Sequence, residues 1–260
     1  MSAAIFMMEL RLRTRSVLSA AMGLICLTGV VGALFPSLED SIGNLNLPTG
    51  VRDLLGTSDF STIAGWLQTE ITSVYGPLVF GGVAIAAAAA TTAGEEEDRI
   101  FALVLAHPVP RTRLVLAKAA AIGTMLAGLA VAVFAGMLLG VALAGGGISA
   151  SHIAAAALHL LFLALAVGAL ALALGASTGR RGLAATVSAA VAVVMFLVNG
   201  FAPSIHSISW LKYLTVFHYY SGANPLINGV DLGGLAVLAG LTIASVAAAV
   251  AGFASRDLRG

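Results

Sequence analysis

The chain has 260 residues, of which 59% are hydrophobic and only 10% charged, and its net charge is +1. A water-soluble domain carries about 25% charged residues, so the composition excludes a soluble globule. The absence of a basic patch outside a few short clusters excludes a nucleic-acid-binding face.

The little charge there is follows a pattern. Eleven of the thirteen Lys and Arg residues fall into four clusters that alternate with long apolar stretches: Arg11/Arg13/Arg15, Arg99/Arg111/Arg113/Lys118, Arg180/Arg181 and Arg256/Arg259. Positive charge at the ends of membrane spans stays on the cytoplasmic side. The pattern therefore predicts an even number of crossings with both termini cytoplasmic. A span needs about 20 apolar residues, which leaves room for six.

The N-terminal stretch from Ala3 to Ser16 mixes Ile5, Phe6, Met7 and Met8 with Glu9 and three arginines. It fits an interfacial helix and serves equally as an orientation signal. The first span is expected over residues 17–35 and ends at Pro36. It is long enough to cross and no small-residue cleavage site follows, so it does not read as a cleavable leader. Cys26 lies within it and has no second cysteine to pair with. Residues 37–69 form a polar outer segment in which 51–55 and 60–67 suggest helices lying on the membrane surface. The second span is expected over 71–93. It stops where Glu95, Glu96, Glu97 and Asp98 follow, because each acid costs about 3 kcal/mol at the bilayer centre. Spans three to six are expected over 114–143, 153–176, 183–200 and 232–253. Gly145-Gly146-Gly147 closes the third, a tight inner loop at 177–182 joins the fourth and fifth, and an aromatic-rich outer segment at 201–231 precedes the sixth. The fold class is an all-α membrane protein forming a single transmembrane domain over 1–260. Gly136 and Gly140 make a small-xxx-small pair in the third span.

Residues 94–118, GEEEDRIFALVLAHPVPRTRLVLAK, carry the densest signal. Acids at the start of a helix favour the positive end of its dipole. An apolar patch follows from Ile100 to Leu105, and Pro108 ends the helix. The product is a short helix at the inner surface, acidic at one end and basic at the other. It can be a docking surface for a soluble partner, or its charges can simply mark the membrane boundary.

Glu95-Glu96-Glu97, then Leu103-Val104-Leu105-Ala106-x-Pro108-Val109-x-Arg111-Thr112-Arg113, resembles the inner-loop signature of ABC-2 type transporter permeases. A second stretch, Trp210-Leu211-Lys212-Tyr213-Leu214-Thr215-Val216-Phe217-His218-Tyr219-Tyr220, is similar to the family's segment before the last span, except that Val216 stands where the family has proline. The resemblance implies a half-transporter, by analogy an exporter and bacterial, in the inner membrane. Two permease subunits, identical or homologous, would each dock an ATP-binding subunit through a coupling helix. On this chain the coupling residues would be Glu95, Glu96, Glu97, Asp98, Arg99, Phe101, Leu105, Pro108, Arg111 and Arg113. No Gly-x-x-x-x-Gly-Lys-[Ser/Thr] loop is present, so ATP and Mg are expected on the partner subunits. The chain itself is expected to bind no cofactor and to be no enzyme.

Other polar groups are candidates for a transport pathway. Glu70 and Tyr75 sit at the outer end of the second span, His159 within the fourth and Asn199 in the fifth. An ionisable group at membrane depth is a functional candidate, and a neutral, hydrogen-bonded imidazole is the alternative for His159. The five histidines lack metal-ligand spacing. An intramembrane enzyme would need catalytic motifs that are missing here. An autonomous ion-coupled carrier is the alternative function and would have to work through His159 and Glu70. The Ala/Leu/Val-rich spans fit an amphipathic or lipid-like cargo.

Overall fold

A computed structural model describes residues 2–42, 62–94, 97 and 110–256 of the chain. These residues are helical with no strand among them, and six helices are long and apolar enough to cross a membrane. Helix α1 is Ser2–Ile42. Helix α2 occupies 63–94, α3 is Arg111–Leu143, α4 is Ala150–Thr178 and α5 is Arg181–Phe201. The outer segment holds two 3₁₀ helices, Ala202–Ser204 and His206–Leu214, then α6 (Val216–Ser221) and α7 (Pro225–Asn228). Helix α8, Leu232–Ala254, closes the bundle.

Two boundaries differ from the sequence expectation. Pro36 does not end the first span but lies inside α1. Breaking a helix at membrane depth would unpair several backbone groups, whereas a proline six residues from the helix end removes one donor. The N-terminal stretch is helical and runs into the span without a break, so α1 is about 60 Å long at 1.5 Å per residue. That exceeds the roughly 30 Å hydrocarbon core, and its arginine-bearing start extends the axis of the span.

The second difference is in α2. It begins at Ile63, not at 71, so the end of the expected surface helix belongs to the span. It winds as an α-helix over Ile63–Leu67, a π-helix over Gln68–Tyr75, an α-helix over Gly76–Ala89 and a π-helix over Ala90–Gly94. Pro77 explains the first widening. A proline has no N–H and crowds the carbonyl one turn back, and the looser i→i+5 turn relieves this. The Gly76 N–H bonds the Ile71 carbonyl, and that carbonyl lies where a Gly76 Cβ would stand.

Helix α4 is central and packs against α2, α3, α5 and α8. Without water to drive association, close approach of small residues does the work: Gly168 lies against Ala84 of α2, and Gly252 of α8 against Ser177. The longest pairing is α1 with α3, where Gly136 and Gly140 meet the backbone of Ile25, Thr28, Gly29 and Gly32. The α3–α4 turn needs its glycines, because Gly145, Gly146 and Gly147 have φ of 94°, 91° and 115°, a region other residues rarely adopt.

Candidate functional site at the loop end of the bundle

Lys118 sits seven residues into α3 and is buried, 2% exposed. Its ammonium donates to Glu9 Oε1 of α1 at 3.0 Å and to the Thr91 carbonyl of α2 at 2.7 Å. Glu9 is buried as well and also meets Arg13 Nε at 3.5 Å, while Arg13 donates to Thr91 Oγ1 at 3.0 Å. The arrangement has a local reason. Thr91 lies in the last turn of α2, where carbonyls lack helical partners and cations are favoured. An isolated buried ammonium would be costly, and Glu9 supplies the counter-charge. Three helices are thereby tied together near the end of α2 and the start of α3, between which residues 95–109 lie in the sequence.

The remaining helices are tied in at the same end. Glu97 is exposed, and its Oε1 accepts from the Arg181 N–H at 2.9 Å, at the first turn of α5. That helix start has no side-chain cap of its own, since Arg180 occupies the N-cap. A carboxylate there satisfies an orphan donor and favours the helix dipole. Arg111 Nη1 donates to the Arg256 carbonyl at 2.7 Å, and Arg256 Nη1 to the Ala176 carbonyl at 3.0 Å, joining α3, α8 and α4. All four basic clusters of the sequence thus have members at one end of the bundle. Arg113 is exposed there. Glu95, Glu96, Asp98, Arg99, Phe101, Leu105 and Pro108 lie outside the described residues, as do residues 51–55.

A family model described as ABC-2 family transporter protein matches residues 3–258. The chain belongs to this family. A search of curated proteins found no match. Membership makes the chain an integral membrane permease component of ABC transporters, the transmembrane part and not the catalytic one.

The four pathway candidates do not form one site in this ABC-2 permease. Glu70 is half-buried within the π-helical turn of α2, and Tyr75 is exposed at its end. Asn199 Oδ1 accepts from Thr215 Oγ1 at 3.2 Å, tying the end of α5 to the outer segment. His159 is fully buried. Its Nε2 accepts from the Asp231 N–H at 3.1 Å, so Nδ1 carries the proton and donates to the Tyr220 carbonyl at 3.0 Å. Tyr220 in turn donates its hydroxyl to the Thr72 carbonyl at 2.6 Å, and Asp231 caps α8 by accepting from Gly233 and Gly234. His159 therefore uses both nitrogens to clasp the outer segment to α2, α4 and α8. The family-proline position, Val216, is the first residue of α6, with Thr215 as its cap. That is the helical position at which proline is tolerated, so valine there preserves the turn.

His218 stands between Tyr213 and Tyr219, with ring centroids 4.8 and 5.2 Å away. Burial pushes its pKa below the ordinary 6.5, the Lys212 ammonium pushes the same way and Asp231 opposes. A base with a folded pKa below its unfolded value binds fewer protons folded than unfolded, so it weakens the fold as pH drops through 6.5. The protection of residues 206–221 against hydrogen exchange, taken relative to the intrinsic rate at each pH, is expected to fall below pH 6.5 in the parent and to lose that pH step in His218→Gln.

Between α2 and α5 runs an open, apolar groove of ≈ 260 Å³ bordered by Val74, Pro77, Gly81, Gly82, Val193 and Phe196. Sequence reading missed this groove and the Glu9–Lys118 pair. The signal for the pair was present: a lysine one-quarter of the way into an apolar helix requires a counter-ion, and Glu9 is the one acid in the first helix before residue 39.

Proposed function

We propose that the chain is the membrane half of an exporter powered by two separate ATP-binding subunits, paired with a second permease that is identical or homologous. The loop end is cytoplasmic in this reading, with both termini there, and the membrane is a bacterial inner membrane. The observation that carries the proposal is that both edges of the 95–113 segment are anchored to all six spans. The Glu9–Lys118–Thr91 cluster holds α1, α2 and α3; Glu97–Arg181 and Arg111–Arg256–Ala176 hold α5, α8 and α4.

A displacement of this segment by a closing ATPase pair is then delivered to rigid helices and not lost in a loop, as rigid-body switching requires. We assign docking to the segment from Glu95 to Arg113 on its resemblance to the family's coupling signature, Phe101, Leu105 and Pro108 included. Nucleotide and Mg stay on the partners. The groove between α2 and α5 lies on the least buried span, and we assign it to the face that meets the second permease and an amphipathic cargo. An autonomous carrier running on His159 gains no support, because both ring nitrogens are engaged in holding the outer segment.

The test is purification from native membranes in mild detergent, with the ATPase activity of what accompanies the chain. A nucleotide-binding subunit is expected in stoichiometric amount. Glu96→Lys/Glu97→Lys is expected to lower its recovery at least tenfold while leaving the melting temperature of the permease within a few degrees. Retention of both partner and activity in that variant would remove the docking role from this segment.

A further inference from the structure

Most hydroxyls inside these spans bond back to their own helix. Thr28, Thr69, Thr72, Thr124 and Thr242 each donate to the carbonyl four residues earlier, the usual way a membrane helix satisfies them. Ser188 of α5 differs. It is fully buried and its Oγ has no hydrogen-bond partner among the described residues. It borders a cavity of ≈ 170 Å³ between α4, α5 and α8, roofed by the outer segment and lined by Ala166, Leu170, Ser188, Met195, Leu214 and Ser245.

Three features define what fits. The volume is close to that of an engineered cavity of about 150 Å³ known to hold benzene, so an occupant has roughly the size of a substituted ring or a short alkyl chain. The walls are apolar apart from two hydroxyls on facing helices. Ser188 is seven residues from the start of α5 and Ser245 nine from the end of α8, so both lie about 10–13 Å below the loop end at 1.5 Å per residue. That depth and the uncharged lining exclude an ion. Helices α5 and α8 are the least buried of the six spans, with 11% and 22% of their windows buried, so the cavity is reached from the bilayer.

We propose that this cavity binds a small uncharged amphiphile carrying one hydroxyl, a phenol or medium-chain alkanol, drawn from the membrane and hydrogen-bonded to Ser188. An unpaired buried hydroxyl is destabilising until a partner arrives, which makes the site selective for a molecule with a hydrogen-bonding head over a plain hydrocarbon. The site shares only Ala192 with the lining of the α2–α5 groove and does not depend on the export reading.

The experiment is photolabelling of the full chain in lipid nanodiscs with a diazirine-bearing medium-chain alkanol, mapped by peptide mass spectrometry. Saturable labelling is expected on peptides containing Ser188–Met195 and Leu241–Ser245, competed by phenol. In Ser188→Ala it is expected to fall about fivefold, the equivalent of one net hydrogen bond of ~1 kcal/mol, with the probe-free melting temperature unchanged or raised. Ala166→Leu, which fills the cavity, is expected to abolish it. Diffuse, non-saturable labelling that both variants leave unchanged would overturn the site. So would a lowered probe-free melting temperature in Ser188→Ala, because it would show that the hydroxyl already has a partner.

Discussion

Lys118→Met is expected to cripple folding of this permease, and Glu9→Leu/Lys118→Met to restore it. The single change removes the nearer of the two cations facing a buried carboxylate, leaves Glu9 with the longer 3.5 Å contact to Arg13 and takes a donor from the Thr91 carbonyl, which costs on the order of 3 kcal/mol, the lower end for a broken buried pair. The double change removes both charges and keeps comparable volume. Replacing a buried ion pair by apolar side chains is often neutral or stabilising by roughly 1–4 kcal/mol, so the double variant should melt at or above the parent. Arg13 contacts Glu9 at 3.5 Å and Thr91 at 3.0 Å; it is partly exposed and can find water when Glu9 is gone. The readout that a purely structural pair would not move is transport-linked ATPase activity. If the pair delivers motion of the 95–113 segment to α1, the double variant is stable yet its substrate-stimulated hydrolysis drops toward the basal rate. A stable, fully stimulated double variant would reduce the pair to a structural tie. Thermal melting in detergent and an ATPase assay in liposomes separate the cases.

Much of the architecture could be read from residues because membrane physics is strict. Runs of apolar residues long enough to span, bounded by Arg pairs and a Glu run, leave few alternatives, and spans three to six begin and end within three residues of the expected positions. One boundary failed where Pro36 was given the weight it has in water, and the other where polar residues before 71, the buried Gln68 and Thr69 among them, were read as lying outside the span. Pro36 is carried inside α1 because the bilayer penalises a broken helix more than one missing donor, and Pro77 is absorbed by widening α2 into a π-turn. The site was legible in outline only. The basic clusters gather at one end of the bundle, yet Glu9 beside Lys118, Arg181 beside Glu97 and Ala176 beside Arg256 come from 80 or more residues away, and nothing in local spacing encodes a pairing across helices. His159 shows the same limit. Sequence left a pathway group and a hydrogen-bonded imidazole both open, and the contacts of both ring nitrogens with Tyr220 and Asp231, 61 and 72 residues away, are not written in local spacing.

The packing of α1 on α3 supports the second large effect. A Cβ on Gly140 would stand 3.0 Å from Gly32 Cα and from the Thr28 carbonyl oxygen, and 3.1 Å from that of Gly29. These are backbone atoms and cannot rotate aside, so Gly140→Leu must push the helices apart. Overpacking typically costs about 1–3 kcal/mol and more where neighbours cannot yield; here the upper part of that range or beyond is expected. Gly128 lies on the same helix with open space around it, and Gly128→Ala should stabilise by up to ~1 kcal/mol through helix propensity alone. A propensity effect would move both variants the same way, so opposite signs identify the contact as the cause. Gly140 and Lys118 are 22 residues apart on α3, about 33 Å at 1.5 Å per residue. Distant sites add when they are independent. If α1 detaches as a unit, Gly140→Leu already breaks the Glu9–Lys118 pair, and adding Lys118→Met costs far less than it does alone. If α1 yields only near Gly32, the two costs sum. A double-mutant cycle on melting temperature therefore reports whether α1 is one rigid lever from the loop end to the opposite face, which the coupling mechanism requires.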